Sequence, residues 1–201
     1  MKLCVVSVGL ATTASALEAR MQAAPTSAAL HRAWTGAEPT LVEVRGPRRS
    51  GPGFLVASSG EVLTTVDFVG LDSAEVILEG KSYLAKVMVA NPRLRLAVLS
   101  ISRPSPFRAL AVEMTPPAPG DWVIGVARAK RGTFTPHLGQ VLFAATDREP
   151  FVRTDVVASP GTPLLDGRGH LLGLVVDKKG AGARALPLPS VKRELAGGPR
   201  P

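Results

Sequence analysis

From residue 40 onward, apolar and polar positions alternate in short runs that glycine, proline and serine separate. The runs are TLVEVRG, GFLVASS, EVLTTV, AEVILEG, KSYLAKVMVA, RLAVLSI, DWVIGVARA, GTFTPHLGQVLFAAT and HLLGLVVDKKG. A period of two with β-branched side chains indicates β-strands, and the Glu79–Gly80 pair between the fourth and fifth runs predicts a hairpin turn. No helical patterns alternate with these runs. The sequence therefore predicts an all-β fold, either an antiparallel sandwich or a pair of barrels.

The segments outside these runs divide the chain. The proline-rich stretch Pro104–Pro119 has no helical periodicity and predicts a crossover in the middle of the chain. Near the end, PSVKREL is the only segment with a recognisable helix start, with Ser190 as the N-cap. We therefore expect an N-terminal lead-in at 17–39, one domain at 40–196 and a disordered tail at 197–201.

The first residues have the layout of a secretory signal peptide. Lys2 precedes the apolar run LCVVSVGLA, and Ala14 and Ala16 occupy the −3 and −1 positions of a cleavage site. The run is too short for a membrane span, which needs about 20 residues. We predict a signal peptide at 1–16 and a periplasmic or secreted protein, and the alternative is a helix that stays on the chain. Cleavage would remove Cys4.

Composition excludes several classes of protein. The chain has 201 residues, 45% of them apolar, with 24 Lys and Arg against 16 Asp and Glu, a formal charge of +8. That hydrophobicity excludes a disordered chain. A single cysteine excludes a disulfide framework, and His31, His137 and His170 are too scattered to suggest a metal site. We expect no metal and no cofactor.

The positive charge gathers in predicted turns, above all at Arg45, Arg48 and Arg49. Aromatic residues make up only 4% of the chain, so surfaces that stack nucleic-acid bases are not expected. A solvated basic surface is the simplest interpretation. The alternative is an acidic partner protein or an anionic envelope polymer that docks near Arg48, Arg49 and Arg95.

Five strings resemble, in order, segments of trypsin-like serine proteases of the HtrA/Deg type. They are GPGFLVASSGEVLTTVDFVG, NPRLRLAVLSI, GDWVIGVA, FVRTDVVASPGTPLLDGRGHLLGLVV and ARALPLPSVKREL. The resemblance runs from about Thr40 to Leu195. It implies two packed six-stranded β-barrels with the catalytic site in the cleft between them.

The catalytic residues of that family do not carry over. The resemblance places Asp67 where the family has its histidine and Arg95 where it has its aspartate. Thr162 replaces the NSGG stretch that holds the serine, with a loss of three residues. The chemistry needs a nucleophile, a base, an orienting carboxylate and backbone N–H donors, and the following Pro163 has no N–H to donate.

We therefore predict an inactive homologue that acts as a peptide- or protein-binding or regulatory module outside the cytoplasm. Its former substrate cleft would hold extended peptide by strand addition. The alternative is a residual or altered serine-type endopeptidase that uses Ser159 or Thr162. Ser159 has no evident base, and a carboxylate such as Asp67, with an ordinary pKa of about 3.9, is a weak base at neutral pH.

The two exchanged charges suggest a structural link. In the resembling family these two positions touch, so Asp67 and Arg95 are predicted to form an ion pair in place of the lost dyad. A guanidinium offers a planar donor fork to a carboxylate. The alternative is neutral drift, with Arg95 reaching solvent.

Overall fold

The computed structural model describes residues 23–102, 106–129 and 132–196, and its strands form two closed barrels of six strands each. The predicted signal peptide at 1–16, the tail at 197–201 and part of the Pro104–Pro119 stretch lie outside the described residues. No described helix is long and apolar enough to cross a membrane.

The first barrel is built from the first half of the chain. Its spatial order is β1-β2-β3-β6-β5-β4, with all neighbours antiparallel. The strands are β1 Leu41–Arg45, β2 Ser50–Leu55, β3 Glu61–Thr65, β4 Ser73–Leu78, β5 Lys81–Asn91 and β6 Leu96–Ser100. The predicted Glu79–Gly80 turn joins β4 to β5, and both residues have positive φ, 49° and 75°.

The second barrel follows the crossover and has the order β10-β11-β12-β9-β8-β7. Its strands are β7 Trp122–Arg128, β8 Phe134–Phe143, β9 Val152–Thr154, β10 Pro163–Leu165, β11 Leu171–Lys179 and β12 Gly182–Pro187. The alternating segments identified in the sequence did not include β9, β10 and β12. Two of these have three residues each, which is too short for alternation to be recognisable.

The core has one cluster inside each barrel and a third between them. The third contains Phe54 and Leu63 of the first barrel together with Leu174 and Leu186 of the second, all of them fully buried. Burial of such side chains contributes roughly 1.5–3 kcal/mol each. The barrels are therefore held face to face by apolar contact.

Two α-helices of the described residues flank the barrels, and the helix predictions were partly wrong. Helix α1, Ser27–Ala37, lies in the N-terminal lead-in, where no helix start was predicted, and a 3₁₀ helix Glu38–Thr40 follows it. Thr26 caps α1 by accepting from the Ala29 N–H at 3.2 Å, a signal that was overlooked. The C-terminal helix α2 is Leu188–Ala196, so it begins before the predicted N-cap at Ser190.

Candidate functional site

Asp67 and Arg95 lie next to each other on the first barrel. Asp67 belongs to a 3₁₀ helix, Val66–Phe68, directly after β3, and Arg95 immediately precedes β6. The backbones are joined by the Val66 N–H, which donates to the Arg95 carbonyl at 3.3 Å. Arg95 Nη2 donates to Asp67 Oδ2, and both side chains are about one-third exposed.

The turn before β6 presents Arg95 in an unusual conformation. Asn91 Oδ1 accepts from the backbone N–H groups of Arg93 and Leu94, at 3.0 and 3.1 Å, and closes the turn. Arg95 then has φ of 54°, a left-handed conformation that costs a residue with a Cβ roughly 1–2 kcal/mol. Its Nε is buried without a hydrogen-bond partner among the described residues. Arg95 therefore carries a local free-energy cost at the same residue whose guanidinium binds Asp67.

The charges continue across the cleft into the second barrel. Arg95 Nη1 lies 4.0 Å from Asp177 Oδ2 on β11. Arg184 on β12 donates to both oxygens of Asp177, at 2.9 Å from Nε and 2.5 Å from Nη2. These hydrogen bonds to Asp177 raise the pKa of Arg184, with further help from Glu149. The result is a charge chain of alternating sign that links the two barrels: Asp67, Arg95, Asp177, Arg184 and Glu149.

Thr162 is turned into the second barrel and is fully buried. Its Oγ1 lies 2.9 Å from the Val126 carbonyl oxygen and 2.7 Å from the Ser159 carbonyl oxygen, so the hydroxyl donates to backbone. Ser159 Oγ accepts from the Arg128 N–H at 2.9 Å. Both hydroxyls are thus engaged with backbone groups of their own barrel.

The backbone N–H groups beside Thr162 are also engaged. Gly161 N donates to the Val175 carbonyl at 2.8 Å, and Thr162 N donates to the Ser159 carbonyl at 3.2 Å. Pro163, the next residue, has none. This loop therefore offers no free N–H at residues 161–163 with which to hold an oxyanion.

Phe68 fills the space between the barrels beside this loop, a feature that the sequence analysis missed. A Cβ built on Gly51 would lie 2.2 Å from the Phe68 ring. One built on Gly161, where φ is 89°, would lie 3.1 Å from the ring and 2.2 Å from the Pro52 carbonyl oxygen. The two glycines are therefore required for the ring and the loop to pack.

His137 and His170 have polar partners away from Ser159 and Thr162. His137 Nε2 lies 3.2 Å from Thr135 Oγ1, and His170 Nδ1 lies 3.4 Å from Asp166 Oδ2. Among the described residues, the Ser159 and Thr162 hydroxyls bond to backbone groups and not to a histidine ring. Among the described residues, no group of three His, Cys, Asp and Glu side chains is placed to hold a metal ion.

The structure divides the predicted basic patch. Arg45 Nε pairs with Glu43 Oε1 at 3.2 Å, and Arg128 of the second barrel approaches the same oxygen at 3.6 Å. Arg48 and Arg49 are exposed in the β1–β2 turn and have no ion pair among the described residues. The part of the patch with unneutralised charge is therefore the Arg48–Arg49 pair.

Two closed six-stranded β-barrels with a site at their junction define the double-barrel peptidase class. Residues 51–174 match the model of the trypsin-like peptidase domain, and the chain belongs to that family. This confirms the family resemblance and the predicted all-β double-barrel fold.

Two curated relatives carry the same printed name. The chain is 30% identical over 182 residues to a Marinomonas protein named "Probable periplasmic serine endoprotease DegP-like", covering 81% of this chain and 38% of that protein. A Chlamydia trachomatis protein with the same name is 28% identical over 137 residues, covering 62% of this chain and 27% of the relative. The chain thus spans well under half the length of these two relatives.

Solved structures agree on the fold. The serine endoprotease from Yersinia pestis superposes with a TM-score of 0.74 at 22% identity, covering 87% of this chain and 67% of that one. The inactive form of the Rv3671c protease superposes with a TM-score of 0.72 at 22% identity, covering 89% and 98%.

Proposed function

We propose that this chain is a catalytically inactive member of the trypsin-like peptidase family that binds peptide or protein segments outside the cytoplasm. The observation that carries the proposal is the backbone of residues 161–163, where two N–H groups are engaged and the third is absent. Oxyanion stabilisation is usually the largest single contribution to acyl-transfer catalysis. A hydrolase of this class could hardly function without it, whereas a binding module could.

The position of the hydroxyls supports the same proposal. Thr162 Oγ1 is buried against carbonyl oxygens, so an attacking hydroxyl would first have to leave its pocket. Asp67, the side chain at the position of the base, is paired with Arg95. The Arg95 guanidinium therefore occupies Asp67 Oδ2, an oxygen that a base would use to take a proton.

An edge of β11 supports binding by strand addition. On the side that faces β10, the pairing of β11 ends at Val175, which exchanges hydrogen bonds with Gly161 and Thr162. Residues 176–179 have no strand neighbour on that side among the described residues, while β12 covers the other side. An extended peptide would add main-chain hydrogen bonds there without a catalytic group.

The proposed location follows from the N-terminal pattern and the relatives. The signal-peptide layout at 1–16 and the word "periplasmic" in both relatives' names support a periplasmic or secreted protein.

The test of inactivity treats the purified mature chain with a fluorophosphonate probe and, in parallel, with unfolded casein. Trypsin serves as the positive control, and a cooperative melt establishes that the sample is folded. We expect neither labelling nor cleavage. Labelling with cleavage, both abolished by Ser159→Ala or Thr162→Ala, would instead establish the alternative endopeptidase.

The test of binding measures amide hydrogen exchange with and without a saturating peptide selected from a casein digest. We expect slower amide exchange confined to residues 176–179 and to the loop that faces these residues. Protection elsewhere, with these amides unchanged, would refute strand addition at β11.

A further inference from the structure

A cleft of about 690 Å³ lies on the first barrel and shares Asp67 with the junction between the barrels. Three turns form it: the β1–β2 turn, the segment after β3 and the β5–β6 turn. We call it the arginine cleft, and its lining is Pro47, Arg48, Arg49, Val66, Asp67, Val69, Gly70, Leu71, Ala90 and Pro92. Its volume is within the range of sites that hold small molecules or a few side chains.

The turns that form this cleft are fixed by backbone contacts. Gly46 N donates to the Arg49 carbonyl at 3.0 Å, and Gly70 N donates to the Ser73 carbonyl at 3.2 Å. A Cβ on Gly46 would lie 2.6 Å from the Phe68 carbonyl oxygen, so the first turn lies directly on the segment after β3. The cleft is therefore preformed, which lowers the entropic cost of binding a ligand.

Most of the lining is apolar. Six of the ten residues are Pro, Val, Leu or Ala, and Leu71 is 95% exposed. Apolar surface gathered in a concave site is an interaction feature, unlike a single leucine on a convex surface.

The cleft carries positive charge that no described carboxylate neutralises. Asp67 is neutralised by Arg95, whereas Arg48 and Arg49 have no ion pair among the described residues. Guanidinium groups in this arrangement favour carboxylate partners, which they can bind through two parallel hydrogen bonds.

We propose that the arginine cleft binds an acidic peptide segment in which carboxylates alternate with large aliphatic side chains. Arg48 and Arg49 pair with the carboxylates, and the aliphatic side chains pack on Leu71 and the prolines. A peptide matches both properties of the cleft, whereas a polyanionic polymer matches only the charge. All ten lining residues belong to the first barrel, so the proposal does not depend on strand addition at β11.

The test uses a fluorescein-labelled eight-residue peptide of alternating leucine and glutamate, titrated with the mature chain at about 0.02 M salt, where screening is weak. The matched peptide has glutamine in place of glutamate, and the polyanion is dextran sulfate. The variants are Arg48→Glu with Arg49→Glu, and Leu71→Ser. Lys192→Glu with Arg193→Glu is the control, because it makes the same charge change on the exposed face of α2.

We expect the leucine–glutamate peptide to bind at least about tenfold more tightly than its glutamine match, and Arg48→Glu with Arg49→Glu to lose about tenfold in affinity. Leu71→Ser should weaken binding about threefold through lost apolar contact, while the α2 control stays within about twofold of wild type. Binding that survives the Arg48 and Arg49 reversal overturns the proposal. The proposal is also overturned if dextran sulfate binding is lost in the same way on the Arg48 and Arg49 reversal while Leu71→Ser has no effect. Neither result would alter the exchange experiment on β11, so the two proposals fail separately.

Discussion

At the scale of single residues, Arg95 has an unfavourable backbone conformation and a favourable set of charged contacts. The left-handed φ of 54° and the unpartnered Nε both cost free energy, while Asp67 and Asp177 offset that cost. Exposed ion pairs contribute only about 0–1 kcal/mol, so Arg95 adds little to net stability. The turn from Asn91 to Arg95 explains this backbone conformation better than the ion pairs do.

The first prediction separates the conformation of residue 95 from its charge. Arg95→Gly and Arg95→Ala both remove the guanidinium, but alanine keeps a Cβ in the left-handed region. Allowing for the greater freedom of glycine in the unfolded chain, we expect the alanine variant to be less stable by about 0.5–1 kcal/mol. Urea unfolding measures the difference. Equal stability would mean that the turn can relax.

The second prediction concerns the contact between Asp67 and Arg95. A double-mutant cycle with Asp67→Ala and Arg95→Ala should give a coupling free energy of about 0.5–1 kcal/mol, since both side chains are about one-third exposed. The left-handed φ is present in both Arg95 and the alanine variant, so it does not enter the coupling. Additive losses of stability would exclude the pairing as a stabilising contact.

At the scale of elements, short apolar runs bounded by turn residues located the longer strands, some of which, such as β5, bury one face while others, such as β11, are buried on both. The pattern missed α1, whose fully buried residues are the small Ala33 and Ala37, although Leu30, Ala33, Trp34 and Ala37 have helical spacing. The contact of Phe68 with Gly51 and Gly161 could not be predicted, since it depends on how distant segments pack. The approach of Arg95 to Asp177 was missed for the same reason.

The third prediction tests the docking of the β9–β10 loop on the first barrel. Gly161→Ala must bring a Cβ to within 2.2 Å of the Pro52 carbonyl oxygen. Gly180 also has a positive φ, 62°, but has nothing within 4 Å, so Gly180→Ala is the matched control. We expect the control to lose about 1 kcal/mol and Gly161→Ala at least about 2 kcal/mol more in thermal or urea unfolding. Similar losses in both variants would mean that the loop does not press on the first barrel.

At the scale of the whole molecule, two sets of contacts, one apolar and one charged, fill the junction of the barrels. An apolar cluster that includes Phe54 and Leu174 forms its base, and the charge chain from Asp67 to Glu149 crosses it nearer the surface. In the resembling proteases this junction holds the catalytic groups. Here the Phe68 ring packs there against Gly161.

That arrangement leads to the fourth prediction, which concerns rebuilding the triad. Asp67→His, Arg95→Asp and Thr162→Ser together would supply the three side chains by type. We expect this triple variant to remain unlabelled by a fluorophosphonate, because its N–H groups at 161 and 162 still donate to carbonyls and Pro163 still has none. Replacing Thr162 in the same variant with NSGG restores the missing donors, so any gain in labelling should require that insertion. A cooperative melt of each variant verifies folding. Labelling of the triple variant alone would mean that the three side chains, and not the loop backbone, limit the chemistry.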